Sequence, residues 1–309
     1  MSGIVVVGSA NIDQVFRVDR IPSPGETVLS HGVSTALGGK GQNQAVAAAR
    51  AGVETTFIGA VGADSFGEMV RSGLSDDAIG VAQLRTSVKP TGTALIAVDG
   101  TGENTIIVEP GANSEVAALT SADVEAISAA SALVMQLEIP LATVVEAAGI
   151  AQAAGTRVIL NAAPIQELPQ GLIDTLDVLI VNEHEAAELA RYNGLAPELD
   201  GLGERLLALV PTVIVTLGSK GASLHRAGSE EVVVPAHRVT AVDATGAGDT
   251  FCGAFAAGIV EGMLADDALR FAVAAASISV ESHGAVPSIP LRAAIETRAK
   301  ESGNLITDS

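Results

Sequence analysis

Apolar residues in this chain fall in short blocks separated by longer segments with a helical pattern. Ile4 to Gly8, Thr55 to Val61, Ser131 to Gln136, Arg157 to Leu160, Asp177 to Val181 and Val213 to Leu217 are brief runs, mostly rich in Val, Ile and Leu. Their length suits strands buried on both faces, although each run read singly also fits a piece of buried helix. Between them lie Lys40 to Arg50, a segment opening near Asp64-Ser-Phe-Gly67, Leu141 to Ala154 and Glu183 to Arg191, all of which read as helices. Strands alternating with helices predict an α/β fold whose mainly parallel sheet is covered on both sides. Glu231 to Val234 reads as a further strand, and Phe251 to Val260 as a buried helix.

Two stretches break the alternation. Asn11 to Leu37 lacks a crossover helix and carries Pro22, Pro24 and Gly25. Thr91 to Glu109 reads as two strands around Asp99-Gly-Thr-Gly-Glu103, which has hairpin-type turn residues. Together they predict a small sheet projecting from the main body, with Ile12, Val15, Leu95, Ile96, Ile106 and Val108 as its apolar members. Such a sheet suits a lid over a polar ligand, and equally a dimer edge or surface decoration. No repeat or low-complexity linker divides residues 1–309, so one domain with an inserted lid (11–37 and 91–109) is expected.

Composition narrows the function classes. Hydrophobic residues make up 48% of the chain but aromatics only 2%, so the core has to be assembled from Ala, Val, Leu and Ile. A net charge of -19, without a Lys/Arg track, argues against a nucleic-acid partner. No apolar run approaches the roughly 20 residues needed to span a bilayer. The chain enters Ile4-Val-Val-Val7 without a basic flank or cleavage signal, and the one cysteine, Cys252, rules out an intrachain disulfide framework. A cytoplasmic location is expected, with Cys252 packed as a small apolar side chain.

The chemistry concentrates in Asp243-Ala-Thr-Gly-Ala-Gly-Asp-Thr250. Gly246 and Gly248 at a helix start would let backbone N–H groups approach a phosphate. Asp249 would then stand beside the anion, where it could accept the proton of an attacking hydroxyl. Read alone, the same residues also describe a glycine-rich helix cap. A sugar needs several fixed polar partners because each hydroxyl loses water on binding. Asn11 and Asp13 follow the first strand and flank the lid, Gly38 and Gly39 permit close backbone approach, and Asn43 lies early in the next helix. Asn11 or Asp13 in isolation equally suits a strand-end cap.

Six separated motifs occur together: Gly8-Ser-Ala-Asn-Ile-Asp13, Gly38-Gly-Lys-Gly-Gln-Asn-Gln-Ala45, Met135-Gln-Leu-Glu138, Asn182-Glu-His-Glu185, Thr216-Leu-Gly-Ser-Lys-Gly221 and Asp243-Ala-Thr-Gly-Ala-Gly-Asp-Thr-Phe251. In this order the chain resembles the ribokinase-like (PfkB) carbohydrate kinases from about Val5 to Pro290. The resemblance implies a three-layer α-β-α fold with a projecting β lid, acting as a homodimer through that lid. It implies transfer of the γ-phosphoryl group of ATP to O5 of D-ribose, with Asp249 as base and an anion hole at Ala247 and Gly248. Sugar contacts map to Asn11, Asp13, Gly39, Asn43 and Glu138, with Lys40 nearby. Asn182 and Glu185 map to support of Mg-ATP, and Thr216, Gly218, Ser219 and Gly221 to a nucleotide turn. Lys220 falls beside the phosphates or in solvent, and His184 is not assigned to metal.

An activating potassium ion is implied at Asp243 (side chain), at Thr245, Ser279, Ser282 and Gly284 (carbonyls) and at Ser288 (side-chain oxygen). Around Ser282 and His283 the chain lacks the family's usual basic character. The adenine pocket is expected between the Gly248 helix and a helix running through Ala272 to Ser279. Glu138 favours a polar group at the far side of the sugar, whereas a nucleoside would need an apolar cavity for its base. Another pentose, deoxyribose or a nucleoside remains the nearest alternative acceptor, and a non-catalytic sugar-responsive module is a more distant one.

Overall fold

The first strand shows how the core is divided. In a computed structural model, which describes residues 3–303, β1 (Ile4–Val7) is buried along its whole length. Ile4 and Val6 enter one hydrophobic cluster while Val5 and Val7 enter the other, because successive side chains of a strand point to opposite faces. The chain continues through β2 (Asn11–Arg17), β3 (Gly32–Gly38), β4 (Thr55–Gly62), β5 (Leu84–Ser87), β6 (Gly92–Val98) and β7 (Asn104–Glu109). It then adds β8 (Ala132–Met135), β9 (Arg157–Asn161), β10 (Val178–Asn182), β11 (Thr212–Thr216), β12 (Ala222–Arg226) and β13 (Val232–Val234).

Among the described residues, nine of these strands form one sheet in the order β13-β12-β11-β10-β9-β8-β1-β4-β5. Its pairings are parallel except at one edge, where β12 runs antiparallel to both β11 and β13. The helices Lys40–Arg50, Ser65–Asp76, Ala247–Val260 and Ala265–Ser279 feed one cluster. Leu141–Ala154, Glu183–Tyr192 and Leu202–Leu206 feed the other, giving three layers. The expected strands and helices are present with ends displaced by a residue or two, except that the helix expected from Phe251 starts four residues earlier, at Ala247. β5 and the antiparallel β12 are additions, as are the helices Ser121–Ala129 and Arg292–Gly303. The strand expected at Glu231 to Val234 is β13, and residues 235–246 separate it from the helix that starts at Ala247.

The interrupting segments form the small sheet, in the order β3-β2-β6-β7. Register places Asp13 beside Ala36 and Ala94, and Ala94 beside Val108. Asp13, Val15, Ile96, Ile106 and Val108 therefore share one face. Ile12 on the other face is fully buried in the main core and roots the small sheet there. Farther out, Leu95, Ile106, Ile107 and Val108 are exposed, and β7 is an open edge.

Lys40–Arg50 packs against Ala247–Val260 without a large side chain between them. A Cβ added at Gly253 would stand 2.4 Å from the Gln44 carbonyl oxygen and 2.6 Å from Ala47 Cβ. The Ala48 nitrogen would stand 2.8 Å from the same Cβ, and Ala48 is fully buried. Gly253→Ala should therefore destabilise the protein by about 1–3 kcal/mol, because backbone and a methyl group would both have to move. Gly149→Ala, in a helix position with nothing within 4 Å of the new methyl, should be neutral or stabilising. Urea unfolding midpoints decide it: an unchanged midpoint for Gly253→Ala would contradict the close-contact account.

Candidate active site

Parallel strands bring their carboxyl ends to one edge of the sheet, and the polar residues collect there. Ser9 and Asn11 follow β1, Gln136 and Glu138 follow β8, and Asn161, Asn182 and Thr216 end β9, β10 and β11. Into this edge point the first turns of the two closely packed helices. Gly39 makes the first of these entries possible: its φ is 89°, and a Cβ would lie 2.7 Å from the Asn11 nitrogen.

Asp249 lies at the meeting point and is only 7% exposed. Asn43 Nδ2 donates to its Oδ2 at 3.0 Å, and Gln44 Nε2 donates to its Oδ1 at 2.9 Å. Burial raises its proton affinity, as does Glu138, while Lys40 and the two amide donors pull it down. The balance leaves the carboxyl above its ordinary range, which suits a group that exchanges a proton. Lys40 is pushed upward, chiefly by Asp249, so it stays a cation.

A second pair of carboxylates borders Asp249. Glu138 Oε2 accepts from Ser9 Oγ at 2.6 Å and from the Lys40 N–H at 3.0 Å. Asp13 is raised to about 6 by burial, by Glu138 and by Asp249. Asn11 Oδ1 accepts from Asn113 Nδ2 at 2.7 Å, and Asn113 also clamps the Ala10 backbone in both directions. A Cβ on Gly38 would collide with the Asp13 carboxylate at 2.3 Å. Asn11, Asp13, Gly39, Lys40, Asn43 and Glu138 are thus drawn together around Asp249 beneath the root of the small sheet.

Two adjoining cavities lie on the opposite flank. One, of about 230 Å³, is lined by Lys40, Asn161, Asn182, Glu185, Gly248 and Asp249 among others. The other, of about 560 Å³, has Gly218, Ser219, Gly221, Ala247, Phe251 and Val273 in its wall. Thr216, Ala244 and Gly248 border both. Gly246, with φ 75°, caps Ala247–Val260 without a side-chain hydrogen bond, leaving that helix end open to an anion. The Ala247 N–H is turned back to the Ala244 carbonyl at 3.2 Å, whereas Gly248 faces open space.

Asn182 and Glu185 do more than line the cavity. The Glu185 N–H donates to Asn182 Oδ1 and the Asn182 N–H donates to Glu185 Oε2, so the pair caps Glu183–Tyr192. Burial is the main reason Glu185 is raised. Lys220 is exposed, 3.7 Å from Glu183.

Asp243 ties together the two segments expected to meet at a cation. Its Oδ1 accepts from the Thr245 N–H and hydroxyl, and its Oδ2 accepts from the Gly284 N–H at 2.8 Å. Burial opposes ionisation there, but these bonds hold its carboxyl below the ordinary range. Val242 and Asp243 both donate to the Val280 carbonyl, and Gly246 packs against Ala285. Ser279 and Ser288 are buried with their hydroxyls bonded to the Ala276 and Ala285 carbonyls, while Ser282 is exposed.

Sequence reasoning passed over several residues. Gln44, Gln136 and Asn161 form a buried amide cluster around Asp249. The first two sat inside motifs already singled out, and a run of amides opening an alanine-rich helix was the available signal. Asn113 and the Ala236–Ala241 wall of the larger cavity had no such signal, because only the folded chain brings them to the site.

Known proteins of similar sequence and fold identify the family. The family model described as pfkB family carbohydrate kinase matches residues 1–292. A Schizosaccharomyces pombe ribokinase is 43% identical, covering 94% of this chain and 95% of its own. The structure of Arabidopsis thaliana ribokinase complexed with ribose and ATP superposes with a TM-score of 0.90 at 35% identity, covering 97% of this chain and 99% of that one. Thermotoga maritima ribokinase gives a TM-score of 0.90 at 38% identity, covering 97% and 100%. The chain belongs to the pfkB family of carbohydrate kinases.

Proposed function

We propose that this protein is an ATP-dependent ribokinase, transferring the γ-phosphoryl group of ATP to O5 of D-ribose to give D-ribose 5-phosphate and ADP. The observation that carries the reading is a buried Asp249 carboxylate set between a polar, carboxylate-lined pocket and an open helix N-terminus. Relatives of the same length and fold carry ribokinase as their name.

In this reading Asn11, Asp13, Gly39, Asn43 and Glu138 hold the sugar, with Lys40 alongside. Asn43 exchanges its bond to Asp249 for one to the sugar. Asp249 accepts the proton of the primary hydroxyl as its oxygen attacks the γ-phosphorus, and the bond to the β,γ-bridging oxygen breaks with ADP as leaving group. Lys40 and the N–H groups of Ala247 and Gly248 offset the negative charge on the transferring group. The Ala247 N–H has to leave the Ala244 carbonyl to do so. Thr216, Gly218, Ser219 and Gly221 border the nucleotide, and its base lies against Phe251, Val273, Ala276 and Val280.

Magnesium would be held through substrate phosphates and water, with Asn182 and Glu185 in support. Among the described residues no cluster of three or more His, Cys, Asp and Glu is placed to hold a metal ion, which suits a cation that keeps most of its waters. For potassium, the fit rests on Asp243 joining the Thr245 turn to Gly284. Carbonyls of Thr245, Ser279, Ser282 and Gly284, with side-chain oxygens of Asp243 and Ser288, supply hard donors. When bound, the ion would steady the Gly246–Asp249 turn.

The small sheet acts as a lid that excludes water from the phosphoryl group. Its exposed Leu95, Ile106, Ile107 and Val108, beside an open strand edge, support a homodimer through the lid. We assign a cytoplasmic setting, where ATP is at hand. Among the described residues no helix is long and apolar enough to cross a membrane.

Product analysis over a panel of ribose, deoxyribose, other pentoses and nucleosides should show ribose 5-phosphate as the main product. Asp249→Asn should lower turnover by about 10²–10⁴-fold. A preferred nucleoside, or near-normal turnover in folded Asp249→Asn, would overturn the assignment. Potassium should raise turnover above an equal concentration of sodium at constant magnesium and ionic strength, and equal rates would remove the cation site. Sedimentation should give a dimer mass. A monomer at all concentrations, with substrates present, would refute the dimer alone.

A further inference from the structure

The amides behind Asp249 form a one-way chain. Gln136 Nε2 donates to Gln44 Oε1 at 2.7 Å, which fixes which end of the Gln44 carboxamide is the acceptor. Gln44 Nε2 is therefore the end facing Asp249, donating to Oδ1 at 2.9 Å and also to Asn161 Oδ1 at 3.2 Å. Asn161 in turn is oriented by donating Nδ2 to the Ile180 carbonyl at 3.1 Å. Gln44 and Gln136 are fully buried. Gln136 is seated by Gly8, where any Cβ would lie 2.1 Å from Gln136 Oε1. Turning Gln44 or Asn161 over would set a buried donor against a donor, and turning Gln136 over would set its Oε1 against Gln44 Oε1, both costly arrangements.

We propose that Gln44 is a positioning residue for the reaction: locked by Gln136 and Asn161, it holds one oxygen of Asp249 still so that the other is free to take the sugar hydroxyl proton when Asn43 moves to the sugar. This rests on Asp249 being the base. Asn43 and Gln44 are neighbours on one helix, yet they divide the work: Asn43 has no second amide fixing it and its Oδ1 is buried without a partner, whereas Gln44 is pinned from two sides. Asn161 lines the smaller cavity, so the same chain links the carboxylate to the nucleotide flank.

The pH profile separates this role from simple packing. Charged or titratable groups facing Asp249 are Lys40 at the start of the Lys40–Arg50 helix, Glu138 after β8, Asp13 on β2, Glu185 at the cavity wall and Cys252 one turn along Asp249's own helix. Lys40 favours the carboxylate and the acidic groups oppose it. An amide donor favours the charged form, so losing it raises the proton affinity of Asp249 and moves the acid limb of kcat to higher pH.

The test compares Gln44→Met, Gln44→Glu and Gln136→Met with the unaltered enzyme, using kcat and KM for ribose from pH 5 to 9 and a thermal melt for folding. Gln44→Glu keeps the shape and an acceptor for Gln136, so it guards against a misfolded Met variant. We expect kcat at neutral pH to fall by roughly 10–100-fold for both Gln44 variants, as for a misplaced reacting group. The acid limb should move to higher pH, furthest for Gln44→Glu, and KM for ribose should change less than kcat. Gln136→Met should give a smaller loss that does not add to that of Gln44→Met. Folded Gln44 variants with an unmoved acid limb, or with KM altered and kcat intact, would overturn the proposal. If Asp249→Asn is inactive while those results hold, only the positioning role fails, whereas an active Asp249→Asn removes the base assignment itself.

Discussion

Everything at the active edge depends on how closely two helices approach. Gly253 lies against the Gln44 carbonyl, Ala47 and Ala48. A larger residue anywhere along it would separate Asp249 from Asn43 and Gln44. The chain's abundance of alanine and near-absence of aromatics therefore has a local meaning. Small side chains let backbones meet, and the meeting brings a carboxylate on one helix to amide donors on another.

That proximity creates an electrostatic problem that the neighbouring residues resolve. Glu138 and Asp249 raise the proton affinity of Asp13, and Glu138 raises that of Asp249, in a buried region, where unpaired charge is costly. Lys40 supplies the opposing cation, and Ser9, Asn43, Gln44 and the Lys40 N–H supply hydrogen bonds. Asp13 remains poised near neutrality, at about 6. A polyhydroxylated ligand would supply donors to these carboxylates and relieve their mutual repulsion. An apolar ligand could not.

The parts legible in the sequence were those governed by short-range rules. Strand runs such as Val213 to Leu217 and helices such as Lys40 to Arg50 follow from periodicity and composition, and their ends shift by little. The small sheet was visible as a gap in the alternation. The antiparallel β12, in contrast, has no pattern that sets its direction, because a buried strand looks the same either way. The span from Val234 to Gly246 likewise carries no local signal that it walls the larger cavity. At the site, Asp249 and its glycines stood out, but its amide partners come from residues about 200 positions away. Contacts of that separation are made by the fold, and Asn113 at Asn11 is the same case.

The central claim is that one carboxylate faces a sugar on one side and a phosphoryl group on the other. A crystal structure with ribose and a non-hydrolysable ATP analogue tests it most directly. The account predicts the primary hydroxyl of ribose within hydrogen-bond distance of Asp249, the γ-phosphate against the Gly248 N–H, and the base beside Phe251. A sugar presenting a different hydroxyl to Asp249, or a nucleotide whose phosphates lie away from the start of the Ala247–Val260 helix, would contradict it.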